Sequence, residues 1–254
     1  MSKKTKYNLI FSLGAACSCS QTLRRAGLQQ LSYPFDWLYG NELPGRIQIL
    51  LDDFAHFLDK EDLSFYHENR SDRCYAYRNK HNQLVFNHDF PMQLGLDAHP
   101  QVWDKYQRRI KRLQDNLQCG PRVLAVYMQV PNENSPLSVT PQIQILWEKL
   151  QQKYAATQLD LCVISQYPSY KPEQFDVQQI TPHITLIRAN YKSLNPKDVS
   201  YAVNVRFAAR LMKKLYRLNL PFSVRCKRFW QKVGIELIPF SEKRHQLKKK
   251  YHFY

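Results

Sequence analysis

Apolar residues along the chain follow two kinds of pattern. Short, nearly continuous apolar runs predict buried strands at residues 7–13, 84–86, 123–128, 159–164 and 184–187. Apolar residues spaced three or four positions apart predict amphipathic helices at residues 18–26, 47–57, 103–117, 143–154 and 201–215. Residues 59–82 are polar without a clear period, so no regular element is predicted there.

The order of these elements predicts the fold class. Residues 121–215 alternate between apolar strands and helices, which is typical of a mostly parallel sheet covered on both faces. We therefore predict an α/β fold: a single mostly parallel sheet flanked by helices, layered as in Rossmann-like or lipase-like proteins. The predicted division is an α/β catalytic domain at residues 1–217 and a basic helical C-terminal appendage at residues 218–254.

Positive charge is concentrated near the C-terminus. Of the net charge of +16, residues 201–254 contribute +12, from 14 Lys and Arg against two acids. Apolar residues at positions 222, 226, 229 and 233, with basic residues between them and Trp230 alongside, predict a basic amphipathic helix. We expect this tail to contact an anionic membrane surface, although a helix packed on the domain has the same pattern. Nucleic acid is a less favoured partner, because no binding motif for it is visible.

The apolar runs and the cysteines indicate where the protein is located and whether its thiols are reduced. The apolar run near the start is too short for a signal peptide, and no stretch reaches the roughly 18 apolar residues of a membrane span. The expected location is cytoplasmic, peripheral to the inner face of the membrane. The six cysteines show no paired C-x-x-C spacing, so we expect reduced thiols, with no metal and no cofactor.

Cys17 is the first candidate for chemistry. The sequence Ser12-Leu13-Gly14-x-x-Cys17 places it just after the first predicted strand, in the first turn of a helix that Ser18 and Gln21 are expected to cap. The positive end of the helix is expected to lower the pKa of the thiol, and its free N–H groups can bind an oxyanion. Cys19 is a competing thiol, expected to point elsewhere, and a packing role for Cys17 stays open.

Five motifs follow one another along residues 7–115. They are Ser12-Leu13-Gly14-x-x-Cys17, Leu23-Arg24-Arg25-x-Gly27-Leu28, Ser32-Tyr33-Pro34-Phe35-Asp36-Trp37, Phe86-x-His88-Asp89-Phe90 and Tyr106-x-Arg108-Arg109-Ile110. Together they resemble the signature of a bacterial and viral family described as papain-like cysteine peptidases of unknown function. A papain fold has an antiparallel half-barrel, which the alternation over residues 121–215 does not predict, so a lipase-like layering fits the pattern better.

The resemblance implies a site built on a cysteine and a histidine. Cys17 matches the nucleophile and His88 its partner, with His56 and His183 as alternatives if His88 lies elsewhere. A third group should orient the imidazole, and the candidates are Asp36 and Asp89. The candidate substrate-binding residues are Ser12, Gly14, Trp37, Arg108 and Arg109.

Ordinary structural roles stay open for several of these residues. His88 and Asp36 also suit turns, Trp37 suits a core position, and the two arginines suit a solvated helix face instead of an anion clamp.

Three classes of function are compatible with these patterns. The first is a thiol enzyme that performs acyl transfer or hydrolysis through Cys17. The second is a transferase or accessory factor of capsule or lipopolysaccharide biosynthesis. The third is a basic protein that binds membrane or nucleic acid without catalysis. The expected substrate is an anionic glycan or an acyl donor, and the sequence does not identify it further.

Overall fold

The computed structural model describes residues 4–119, 122–131, 136–193, 203–220, 222–237, 239 and 241–251. The strands are β1 (Thr5–Tyr7), β2 (Leu9–Ser12), β3 (Leu38–Tyr39), β4 (Leu63–Asn69), β5 (Cys74–Asn79), β6 (Val85–Pro91), β7 (Arg122–Met128), β8 (Gln158–Gln166), β9 (Phe175–Thr181), β10 (Ile184–Ala189) and β11 (Tyr216–Leu218). The helices are α1 (Cys17–Arg25), α2 (Leu43–Leu51), α3 (His99–Gln118), α4 (Pro141–Lys153), α5 (Val205–Leu215), α6 (Phe222–Glu236) and α7 (Ser241–Tyr251).

A five-stranded sheet forms the centre of the fold. Its order is β2-β7-β8-β10-β9, and all neighbours are parallel except β9, which pairs antiparallel with β10 at the edge. Successive residues of a strand point to opposite faces. In β7, Val123 and Ala125 belong to one hydrophobic cluster, while Leu124 and Val126 belong to another. Both faces are therefore buried, which explains the nearly continuous apolar runs in the sequence.

Helices cover the two faces of this sheet. Apolar residues of α1 and α5 pack in the cluster on one face, and those of α2, α3 and α4 pack in the cluster on the other. The mixed α/β architecture with a mostly parallel central sheet agrees with the prediction. The helices predicted at 103–117, 143–154 and 201–215 correspond to α3, α4 and α5.

The prediction of a single sheet was wrong. A four-stranded antiparallel sheet, β3-β6-β5-β4, is inserted between α1 and α3, and β1 pairs with β11 in a separate parallel ribbon. Two of its strands, β4 and β5, lie within residues 59–82, where no element was predicted. The reason is that much of β4 is open to solvent: Phe65 and Tyr66 are exposed, so the strand lacks the simple alternation that a buried face imposes.

The structure differs from the prediction at two further places, the end of one helix and the presence of one strand. The helix predicted at 47–57 ends at Leu51, because the chain then turns through Asp53, Phe54 and His56, all with positive φ. Strand β9 was not predicted, since most of its side chains are partly or fully exposed.

A helix does occupy the predicted amphipathic segment of the tail. It is α6, in which Phe229 and Trp230 are exposed. The side chains of Arg225, Lys227, Arg228 and Lys232 lie outside the described residues, so the one-sided basic face stays a prediction, as does the division at residue 217. Among the described helices, none has the length and apolar character of a membrane span.

Candidate functional site

Cys17 is the first residue of α1, directly after the loop that leaves the carboxyl end of β2. This position was predicted and is confirmed. The predicted capping box was wrong: the N-cap is Ala16, no side chain caps the helix, and Ser18 is buried within its first turn. The first N–H groups of α1 therefore have no side-chain acceptor at the cap and point towards the start of the helix beside Cys17.

Arg46 of α2 holds the loop before Cys17 in place. Its guanidinium is fully buried and donates hydrogen bonds to the carbonyls of Leu13 (2.6 Å), Gly40 (2.7 Å) and Asn41 (3.1 Å). Gly14 has φ 66°, and a Cβ there would lie 3.1 Å from Nη1 of Arg46. The glycine is thus required by both its backbone conformation and the buried cation. Sequence reasoning missed Arg46, because it stands just before the helix predicted at 47–57 and belongs to no motif.

His88 projects from an irregularity in the inserted sheet. In the β5–β6 pairing, Tyr75 faces Phe90 and Tyr77 faces Phe86, so three residues of β6 stand opposite one residue of β5. Bulges of this kind redirect side chains and are frequent next to active sites. The structure places Nε2 of His88 3.4 Å from Sγ of Cys17.

The other imidazole nitrogen contacts a residue that sequence reasoning missed. Nδ1 of His88 makes a very short hydrogen bond with Oδ2 of Asp72, in the turn between β4 and β5. A carboxylate can only accept, so Nδ1 carries the hydrogen, and Nε2 presents its lone pair to the thiol. Asp72 also accepts from Asn69 (3.0 Å). Its turn, Ser71-Asp72-Arg73, has no sequence feature that distinguishes it from any polar turn.

Asp36, a predicted orienting carboxylate, makes no hydrogen bond with His88 in the part of the chain that the structure describes. It is completely buried, and its two oxygens accept hydrogen bonds from four donors: Ser20 Oγ (2.8 Å), Arg24 Nη2 (3.2 Å), Gln29 Nε2 (2.6 Å) and Tyr33 N (3.1 Å). Burial raises the pKa of Asp36, and the nearby Arg24 opposes that shift. These contacts tie the segment after α1 to α1 itself, so the role of Asp36 is to support the helix that begins at Cys17.

Asp89, the other predicted candidate, also makes no hydrogen bond with His88 among the described residues. It neighbours His88 in sequence, but its side chain contacts α3, where it accepts from the ammonium of Lys105 and from the hydroxyl of Tyr106 (2.9 Å). Adjacent residues of an extended strand point to opposite faces, which accounts for the separation. Asp89 therefore anchors the inserted sheet to α3.

The predicted substrate-binding residues lie in different environments. Ser12, at the end of β2, and Gly14, in the loop between β2 and α1, are both buried, so neither presents a surface to a substrate. Arg108 is exposed on α3, and the guanidinium of Arg109 stacks 5.2 Å from the ring centre of Tyr106. Within the described residues, no hydrogen bond or ion pair joins either arginine to the Cys17–His88 pair.

Trp37 is the one member of that set close to His88. Its indole is partly exposed, meets the imidazole edge to face with ring centres 6.5 Å apart, and stacks under the guanidinium of Arg24. Cys19 points away from this place, as expected: its thiol is buried and donates to the carbonyl of Val126 (3.4 Å).

Comparison with known proteins finds the family that the sequence resembles. A family model described as "Putative papain-like cysteine peptidase (DUF1796)" matches residues 8–166, more than half of the chain. The chain belongs to this family. "Uncharacterized protein R408" of Acanthamoeba polyphaga mimivirus is 26% identical over 156 residues, which cover 54% of this chain and 70% of the viral protein. No solved structure matches the chain. The segment shared with this peptidase family contains Cys17, Asp72 and His88.

The thiol of this family member is not the activated thiolate that the helix position predicted. Burial raises the pKa of Cys17 to about 12, and the negative charges of Asp72, Asp89 and Asp36 act in the same direction. A hydrogen bond from the backbone N–H of Cys17 opposes this shift but is outweighed. The expectation of a lowered pKa was wrong, because the side chain has lost more hydration than the helix terminus restores. The resting site therefore holds a neutral S–H directed at Nε2 of His88.

The two alternative histidines lie in other clusters. His183 pairs with Asp160 (2.8 Å), and His56 pairs with Asp59 (2.9 Å). Together with Asp62, the last pair is the only set of possible metal-ligating side chains found among the described residues, with the ligand atoms within 4.8 Å of one another. His56 is exposed and the two carboxylates are partly buried.

Proposed function

We propose that this chain is a cysteine hydrolase in which Cys17 is the nucleophile, His88 the general base and acid, and Asp72 the residue that orients the imidazole. The observation that carries the proposal is the chain of contacts from Sγ of Cys17 to Nε2 of His88 and from Nδ1 to Asp72. The three residues come from α1, β6 and the β4–β5 turn, so the chain of contacts is created by the tertiary fold. Nucleophile, base and orienting group within hydrogen-bond reach are the geometric signature of covalent acyl chemistry.

The first half-reaction forms a thioester. Nε2 of His88 takes the proton of the Cys17 thiol as sulfur attacks the carbonyl carbon of the substrate, and the carbonyl π electrons move onto oxygen. Because the thiol is neutral at rest, its proton must pass to Nε2 for the sulfur to attack. The N–H of Cys19 already donates to the carbonyl of Ala16, so the backbone N–H of Ser18, next to Cys17 in the first turn of α1, is the donor proposed for the oxyanion. Collapse of this intermediate breaks the bond to the leaving group, which receives the proton from Nε2.

The second half-reaction restores the enzyme. Nε2 of His88 takes a proton from a water molecule as the water oxygen attacks the carbonyl carbon of the thioester. The sulfur of Cys17 then leaves and regains that proton from Nε2. The same acyl-enzyme would give acyl transfer if another nucleophile replaced water. Asp72 keeps the imidazole in the tautomer that both steps require and stabilises its cationic form.

The proposal is tested with an activated ester, p-nitrophenyl acetate, whose hydrolysis releases a coloured product without requiring a particular acyl group. We expect the intact chain to turn it over, and Cys17→Ser and His88→Asn to lower the rate to that of the uncatalysed reaction. Cys119→Ser is the matched control, because Cys119 is a free, exposed cysteine. Unchanged turnover in the Cys17→Ser protein, with folding verified by circular dichroism, would remove the proposal.

A further inference from the structure

A cavity lies at the edge of the central sheet opposite to Cys17. Cys17 follows the carboxyl end of β2, whereas this cavity is lined by Arg122 at the start of β7, Asp160 near the start of β8 and Thr185 near the start of β10. Its volume is about 450 Å³, within the range of pockets that take small organic molecules.

One buried carboxylate organises the wall of the cavity. Asp160 is 8% exposed and accepts hydrogen bonds from three groups, namely Tyr7 Oη (2.8 Å), Arg122 Nη2 (3.1 Å) and His183 Nδ1 (2.8 Å). The negative charge of Asp160 is thus balanced by the guanidinium of Arg122. This ion pair is therefore neutral overall and does not attract a charged ligand. Its hydrogen bonds hold the rings of Tyr7 and His183 in place.

Two further cations line the same cavity without a carboxylate partner. Lys4 and Lys214 are both exposed, and among the described residues neither forms an ion pair. The ammonium of Lys214 makes a cation–π contact with Phe175, 5.2 Å from the ring centre, and this contact supplies no negative charge to neutralise it. The cavity therefore carries two positive charges in excess after Arg122 and Asp160 have cancelled.

The other walls are apolar and aromatic. Tyr7 and Tyr216 meet edge to face with ring centres 5.9 Å apart, and Val177, Pro182 and Leu215 complete the lining. Such walls accept a flat or apolar body, while the two lysines attract an anionic group.

We infer that this cavity binds a small phosphate monoester with an aromatic or apolar body. The charge decides the class: a phosphate monoester carries about −1.5 to −2 at neutral pH and matches two ammonium groups, whereas a carboxylate carries a single charge. Lysine is a common phosphate ligand because it acts as a compact point charge. The site is independent of the Cys17 chemistry, since it lies at the other edge of the sheet.

Calorimetric titration of the full chain with phenyl phosphate, at constant ionic strength and neutral pH, tests the inference. We expect saturable binding of one equivalent, with weaker binding of benzoate and of inorganic phosphate, and none of phenol. Lys214→Met should weaken phenyl phosphate binding by about tenfold or more, the usual effect of losing a charge-assisted contact.

Lys213→Met is the matched control, because Lys213 is exposed on the same helix and does not line the cavity. It should leave the affinity unchanged, as should Cys17→Ser. No saturable binding, or an equal loss in the Lys213 and Lys214 variants, would overturn the inference. The second outcome would show general attraction to a basic chain.

Discussion

Sγ of Cys17 lies 3.4 Å from Nε2 of His88, although 71 residues separate the two along the chain. One residue begins a helix that packs on the central sheet, and the other belongs to the inserted antiparallel sheet. The contact therefore depends on how these two parts are held together. Arg46 provides that connection, because it bonds to the loop before Cys17 and to the segment around β3, the strand that pairs with the strand of His88.

Arg46→Met should destabilise the fold strongly. It leaves the carbonyls of Leu13, Gly40 and Asn41 without their donor, and each buried group left unsatisfied costs about 1–3 kcal/mol. We expect the free energy of unfolding to fall by several kcal/mol in urea denaturation. Arg108→Met is the control, because its exposed position predicts a change within about 0.5 kcal/mol. Similar values for the two variants would contradict the role assigned to Arg46.

Asp72→Asn should lower turnover without a matching loss of stability. The amide can no longer hold the imidazole in the tautomer that frees Nε2, while the 45% exposure of the Asp72 side chain limits its contribution to folding. We expect kcat for the activated ester to fall by about 100-fold or more, since the same change at the orienting aspartate of a nucleophile–His–Asp triad costs up to about 10⁴-fold. Steady-state kinetics of the variant measure this. Unchanged kcat would remove Asp72 from the proposed site.

Asp36→Ala should lower the stability of the fold, in contrast to the Asp72 variant, which should lower turnover. It leaves the buried guanidinium of Arg24 without its carboxylate, and breaking a buried pair on one side costs about 3–5 kcal/mol. Urea denaturation measures this loss, with Asp72→Ala as the exposed control at about 1 kcal/mol or less. If Asp36→Ala were as stable as the control, Asp36 would not be the support for α1 that its contacts indicate.

The alternation of strands and helices, and the place of Cys17, could be predicted because both follow from short-range patterns. Buried parallel strands leave continuous apolar runs, and a strand, a glycine and a cysteine in sequence place the thiol at a helix start. The inserted sheet could not be predicted, because its outer strand, β4, is partly exposed. Apolar and polar residues do not alternate regularly along that strand. Without that sheet, the turn that carries Asp72 had no predicted position.

The carboxylate that contacts His88, Asp72, escaped prediction for the same reason. Asp36 and Asp89 were chosen for their motifs, whereas the contact with His88 is set by the bulge in β6 and by the hairpin that faces it. The direction of the Cys17 pKa could not be predicted either. The sequence shows that Cys17 begins a helix, which lowers the pKa of a thiol. The burial that raises the pKa by more depends on the whole fold and is not visible in the sequence.

The reactivity of Cys17 should reflect its buried thiol. Because burial raises its pKa to about 12, the thiolate fraction is very small at neutral pH and grows about tenfold with each pH unit until pH approaches 12. Alkylation by iodoacetamide, followed cysteine by cysteine with peptide mass spectrometry between pH 7 and about 10, should show this rise without a plateau. A plateau of Cys17 labelling at neutral pH would mean that the thiolate is already formed.

The tail is expected to bind anionic vesicles through its charge and its exposed aromatics. Phe229 and Trp230 are 61% and 68% exposed on α6, so they are free to enter a lipid interface. Co-sedimentation of the full chain should be greater with anionic than with neutral vesicles and should decrease in high salt. Trp230→Ala should reduce the part that survives high salt, with the exposed Leu237→Ala as the control. Equal pelleting with both lipids would exclude this partner.

The most direct test of the account is to trap the acyl-enzyme. After brief exposure of the full chain to p-nitrophenyl acetate and acid quenching, peptide mass spectrometry locates the acetyl group. The account predicts acetylation at Cys17, slowed about 10²–10⁴-fold in His88→Asn, the usual contribution of a general base. Acetylation that spares Cys17, or that reaches it equally fast in the His88→Asn protein, would contradict the assignment of these two residues as nucleophile and base.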